Sequence, residues 1–238
     1  MNRKLDVSLV MEYAWGVFKK HWIILSLFSL AVMCVAVGVS FLNPYQVPAG
    51  LQGEELLMWY LENGAGYYAW SFLAAGVQVV LMAWLYNEVF KRIKGVELAF
   101  NAGVVLRYIA VSIIVGIATY VSALCCLIPV FFIAPRLLIA SLYVIDNPNM
   151  GVGEAIERSW KATQGNVITL LVLGVIAFLI TLLGVCCCFI GVVPASVLVY
   201  IMMVVIYLFL TGQVGDDTDA EAQEEVSFVV EEKTVVRD

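Results

Sequence analysis

The chain has 238 residues, of which 63% are hydrophobic and only 13% charged, and its mean hydropathy is +0.95, values that exclude an ordinary soluble domain. Its formal net charge of −6 is local, because nine acids and two bases lie from Val214 onward while the remainder holds eleven bases and ten acids. No basic patch interleaved with aromatics occurs, which argues against nucleic-acid binding.

In chain order, residues 5–21 place Val7, Val10, Met11, Ala14 and Phe18 on one helical face, with Glu12, Lys19 and Lys20 elsewhere and Trp15 and Trp22 suited to headgroup depth. This predicts a cytoplasmic interfacial helix over 1–21 that turns into a first span near 22–42. That first run is too long for a signal-peptide core and is expected to remain as an anchor. An outer loop follows over 43–66, with turns at Asn43-Pro44 and Pro48-Ala49-Gly50 and a short helix over Glu54–Leu61 resting on the bilayer. Further spans are expected near 67–90, 106–127, 129–145, 167–190 and 193–212, since about 20 apolar residues cross a bilayer. A second amphipathic stretch, 152–163, directs Val152, Ala155, Ile156, Ser159 and Thr163 one way, with Trp160 at the border. Residues 213–238 form an acidic tail that reads as disordered through Glu225, with Val226–Val230 able to add as a strand to a partner.

Charge placement sets the topology. Arg3, Lys4, Lys19 and Lys20 precede the first run; Lys91, Arg92, Lys94 and Arg107 follow the second; Arg158 and Lys161 follow the fourth; Lys233 and Arg237 follow the sixth. Bases in short loops stay on the cytoplasmic side, so the alternation predicts an all-α integral membrane bundle of six transmembrane helices with interfacial amphipathic helices and both ends inside. The 129–145 run is the shortest. It is kept as a span because a re-entrant loop there would carry Arg158 and Lys161 outside.

Met11-Glu12-Tyr13-Ala14-Trp15 aligns with Ile156-Glu157-Arg158-Ser159-Trp160, and the register continues with Ile23 over Ile168 and Leu25 over Leu170. This predicts an internal duplication of a surface helix followed by a span. Lys91–Lys94 leading into Val96–Phe100 is a weaker third copy.

Arg136, directly after Pro135 and midway along the fourth expected span, is the candidate site residue. A charge there costs at least about 2.5–3.5 kcal/mol and should face the bundle interior or a wet cavity. It serves either as a site for an anionic headgroup or carboxylate, or as an anchor bonded to backbone carbonyls or Glu88. The anchor is preferred, because one buried Arg without convergent polar partners underdetermines a site. Glu88 is expected to pair locally at the end of the second span, and Gln78 to hydrogen-bond between helices. Cys125, Cys126, Cys186, Cys187 and Cys188 cluster at the outer ends of the third and fifth spans. A disulfide is open there, but adjacent helical residues diverge by about 100° and no CxxC spacing exists, so no metal site is expected. His21 reads as an interfacial anchor. No nucleophile elbow, metalloprotease pair, phosphate-cradling loop or carboxylate dyad is present, so neither enzymatic activity nor a cofactor is expected.

Several segments together resemble a broad group of bacterial membrane proteins related to the membrane domain of some glycerophosphodiester phosphodiesterases. They are Ala14-Trp15-Gly16-Val17-Phe18-Lys19-Lys20, Leu127-Ile128-Pro129, Asp146, Glu154 through Asn166, and Ile190-Gly191-Val192-Val193-Pro194. The most specific part is the pattern Ala155, Ser159, Thr163, Gly165 and Asn166. The resemblance covers roughly residues 10–212 and implies a six-span bundle in the bacterial inner membrane, without a catalytic residue and without accounting for the acidic tail. The expected function is a non-enzymatic protein that organises membrane lipids or a protein partner through the tail. Alternatives are a small transporter or lipid-handling permease in which Arg136 attracts an anionic group, and an accessory subunit of a lipid-modifying enzyme.

Overall fold

The computed structural model describes residues 5–95, 98, 100–125, 136–137, 139–186 and 191–213, the side chains of 123–125 excepted. Every regular element among them is helical: α1 Val7–Phe41, α2 Glu54–Lys94, α3 Ala102–Cys125, α4 Ala140–Asp146, α5 Val152–Ala162, α6 Val167–Cys186 and α7 Val192–Thr211. Five of these, α1, α2, α3, α6 and α7, are long and apolar enough to cross a membrane. The protein is therefore an all-helical, multi-pass membrane protein.

The fourth expected span, 129–145, lies in part outside the described residues. What is described of it ends in α4, whose seven residues extend about 10 Å, against about 30 Å of hydrocarbon. The tail beyond Gln213, Cys126, Cys187 and Cys188 are likewise outside the described residues, whereas Cys34 and Cys186 are free thiols.

Two expected boundaries move. The surface helix expected to turn near residue 21 instead continues unbroken through Lys19, Lys20, His21 and Trp22, making α1 35 residues and about 52 Å long. From Val17 through Val37 it contains neither Pro nor Gly, so nothing local stops it. The short helix expected over Glu54–Leu61 likewise runs on through Asn63 and Gly64 into the second span, giving α2 its 41 residues. Asn63 turns its amide back to the Trp59 carbonyl at 3.3 Å, four residues earlier, rather than capping a helix end.

α7 lies at the centre. Val197, Leu198, Ile201, Met202 and 204–208 are all buried, and the helix packs against α1, α2 and α6. The surrounding helices expose apolar rows outward: Ile23, Leu27 and Leu30 on α1, Ile113, Ile117 and Tyr120 on α3, and Ile168, Val172, Val175, Leu179 and Leu182 on α6. A helix apolar all round belongs in the interior, and one whose outer row is also apolar needs lipid as its solvent. α4 packs between α2, α3 and α5.

Contacts between distant residues gather the starts of α1, α3 and α6 and the ends of α2, α4 and α7 at one end of the bundle. Leu5 donates its amide to Asn166 Oδ1 at 2.9 Å, and Tyr13 meets Phe209 edge to face at 6.1 Å. Arg107 donates to the Pro148 carbonyl, and Lys94 pairs with Asp146. Lys19, Lys20, Lys91, Arg92, Lys94 and Arg107 lie on these segments, and Arg158 and Lys161 lie on α5 between α4 and α6. The loop and helix start at the opposite end, 42–62, carry Glu54, Glu55 and Glu62 and no base.

Candidate functional site

The residues named as the most specific part of the sequence pattern meet where α5 hands over to α6. α5 is amphipathic. Ala155 and Ser159 are buried on its inner side, while Glu154, Glu157, Arg158, Trp160 and Lys161 stand outside. The outer charges pair along the helix, Arg158 with Glu154 at 2.7 Å and Lys161 with Glu157. The hydrogen bond from Lys161 holds the Glu157 carboxyl below its ordinary range.

α5 stops through local chemistry. Buried Thr163 donates its hydroxyl to the Ser159 carbonyl at 2.9 Å and lies 3.1 Å from that of Trp160, satisfying acceptors that the helix end leaves open. Gly165 then takes φ +85°, a conformation a side chain resists, and the chain reverses. Asn166, buried at the start of α6, accepts the Leu5 amide and so ties the N-terminal segment to this turn. Each polar residue in the pattern thus has a specific bond or backbone task.

Arg136 sits against the same helix. Ser159 donates its hydroxyl to the Arg136 carbonyl, fixing the backbone there, and the guanidinium carbon lies 4.5 Å from the centre of the Trp160 ring. That is within cation–π range. Arg136 Nε is buried and has no hydrogen-bond partner among the described residues. Arg136, Glu88 and Gln78, the three candidate polar residues of the spans, lie apart in the structure. Glu88 accepts from Arg92 Nε at 3.1 Å and from Nη2 at 3.0 Å, one turn along α2. Gln78 lies ten residues, about 15 Å, further back and is exposed, lining a cavity of about 220 Å³ with Ser29, Met33, Met82, Leu85 and Tyr200. Arg136 precedes α4 and meets α5 through Ser159 and Trp160, whereas Glu88 and Gln78 lie on α2.

Trp15, Lys19 and Lys20 remain on the exposed side of α1. Trp15 stacks on Phe18 at 5.4 Å, with Lys19 Nζ 5.7 Å from its ring centre. Among the described residues, no group of three or more His, Cys, Asp or Glu side chains converges as metal ligands.

Comparison with family models, curated proteins and solved structures returns no match.

One polar centre was missed by reading residues singly. The Asp146 carboxylate, 6% exposed at the end of α4, pairs with Lys94 from α2 and accepts from Tyr207 Oη at 2.7 Å and Gln213 Nε2 at 2.8 Å. Phe90 and Tyr143 press edge-on against Tyr207 at 5.5 and 4.9 Å. Gln213 reaches the carboxylate because Gly212 adopts φ +73° and turns the chain past α7. A buried carboxylate with one cation and two neutral donors is satisfied, so its role is to lock three helix ends together. The available signal was a lone Asp closing the apolar run 137–145, a position a carboxylate occupies only with partners.

Proposed function

We propose that this chain is a non-enzymatic, multi-pass protein of a bacterial inner membrane, with both ends cytoplasmic, that organises lipid or a protein partner at its basic end. The observation that carries the reading is the polarity of the bundle, with cations and the α5 helix toward one end, and Glu54, Glu55 and Glu62 without any base over 42–62 at the other. Bases retained on the cytoplasmic side fit that orientation. The resemblance of Glu154–Asn166 to membrane domains that precede glycerophosphodiester phosphodiesterases belongs to this proposal and supplies no catalytic residue.

A permease working through Arg136 needs a passage that reaches the guanidinium. The cavity beside Gln78 is lined by α1, α2 and α7 residues, with Arg136 elsewhere, which favours the organising role.

Single-cysteine variants at Lys91 and Glu55, treated with a membrane-impermeant maleimide on intact cells after the native cysteines are replaced, test the orientation. Labelling is expected at position 55 and absent at 91; the reverse pattern would overturn the proposal. Removal of 214–238 should abolish recovery of a tail-bound partner while leaving membrane insertion intact.

A further inference from the structure

We infer that Arg136 and Trp160 form a binding site for the phosphate of an anionic membrane phospholipid, and this rests on the proposed role in organising lipid.

Charge balance is the first ground. Four acids near this end have cations of their own: Glu88 has Arg92, Asp146 has Lys94, Glu154 has Arg158 and Glu157 has Lys161, while Asp6 is held by Ser8. Arg136 shares in none of these pairs. The flanking sequence 126–135 and residue 138 contain no acid, and among the described residues no ion pair is formed by Arg136. A guanidinium keeps its charge at any physiological pH, and leaving it unpaired beside hydrocarbon is costly.

Geometry is the second. The Trp160 ring covers one face of the guanidinium at 4.5 Å, Ser159 pins the Arg136 backbone, and Nε is shielded yet unbonded. The Arg136 side chain as a whole is partly exposed. A guanidinium fork matches two phosphate oxygens, whereas an ammonium offers a point charge.

The duplicated unit supplies the third. At the equivalent position of α1, Trp15 receives Lys19 from one turn along its own helix. The residue one turn beyond Trp160 is Gln164, which carries no charge, so the cation over this indole comes from a different segment of the chain. Trp160 is also exposed on a helix whose outer face is charged, an arrangement suited to headgroup depth, where a lipid phosphate is the abundant anion.

The test uses the full-length protein in mild detergent, titrated with phosphatidylglycerol, phosphatidylethanolamine or inorganic phosphate and read by native mass spectrometry. Phosphatidylglycerol adducts are expected to exceed the other two. Arg136→Gln should weaken phosphatidylglycerol retention about tenfold or more, since a charged hydrogen-bond pair is lost. Arg136→Lys should give an intermediate loss, and Trp160→Leu about a two- to fivefold loss. Unchanged retention in Arg136→Gln overturns the site. Phosphate displacing the lipid at equal concentration overturns the lipid as its source. If Arg136→Gln fails to accumulate, Arg136→Lys and Trp160→Leu decide, and wild-type retention in both overturns the site. A reversed cysteine-labelling pattern would defeat the proposed function separately, leaving the titration as an independent result.

Discussion

α1 and the α5–α6 pair are two readings of one pattern, offset by 145 residues. Val10 and Ala155 are buried, as are Ala14 and Ser159, Leu25 and Leu170, and Val32 and Ala177; Trp15 and Trp160, and Ile23 and Ile168, are exposed. These positions therefore face equivalent ways over about six helical turns, although Trp22 and Gly174 are exposed where Val167 and Ser29 are buried. The backbone paths diverge at a single place. The first runs straight through Phe18-Lys19-Lys20-His21, whereas the second breaks at Thr163-Gln164-Gly165-Asn166. The break lets α5 lie over α4 and hold Arg136, while unbroken α1 packs along α7. A difference of four residues converts one long helix into a surface helix with a separate packing partner.

Core truncation should give the largest effect and tests whether the copies are alike. Leu25→Ala and Leu170→Ala are each expected to cost about 2–5 kcal/mol, measured as thermal unfolding in detergent, with Leu25 the larger because it is fully enclosed. A negligible cost at one site would break the equivalence. Next comes the divergence itself. Gly165→Val should cost about 1–3 kcal/mol, because a β-branched residue resists φ +85°. The equivalent Lys20→Gly change in α1 should cost only about 1 kcal/mol, as glycine in an exposed helix interior does. Equal losses would mean that the turn at 165 does not define the second copy. The smallest effect is expected at Ser159→Ala, about 1 kcal/mol for a lost hydrogen bond, since Ala already serves at the equivalent position 14.

Local patterns in the sequence account for much of this. The burial of Ala155, Ser159 and Thr163 follows from helical spacing, and the repeat follows from matching Glu and Trp residues. The extents of α1 and α2 do not follow from polarity, because amphipathic and fully apolar stretches share one continuous helix. Polarity can change along a helix without interrupting its backbone bonds, and only a cap or a residue such as Gly165 stops it. Arg136 was visible as an anomaly, but Trp160 as its platform was not, and Glu88, its nominated partner, is held by Arg92 one turn away.

The sequence alone determined five of the apolar helices and at which end most of the bases gather, because length and composition decide whether a segment can cross the bilayer on its own. Tertiary structure alone decided that α7 is central, that Asp146 joins the ends of α2, α4 and α7, and that Asn166 holds Leu5 from 161 residues away. Those pairings depend on the relative placement of helices far apart in the chain. Short-range periodicity carries no information about it.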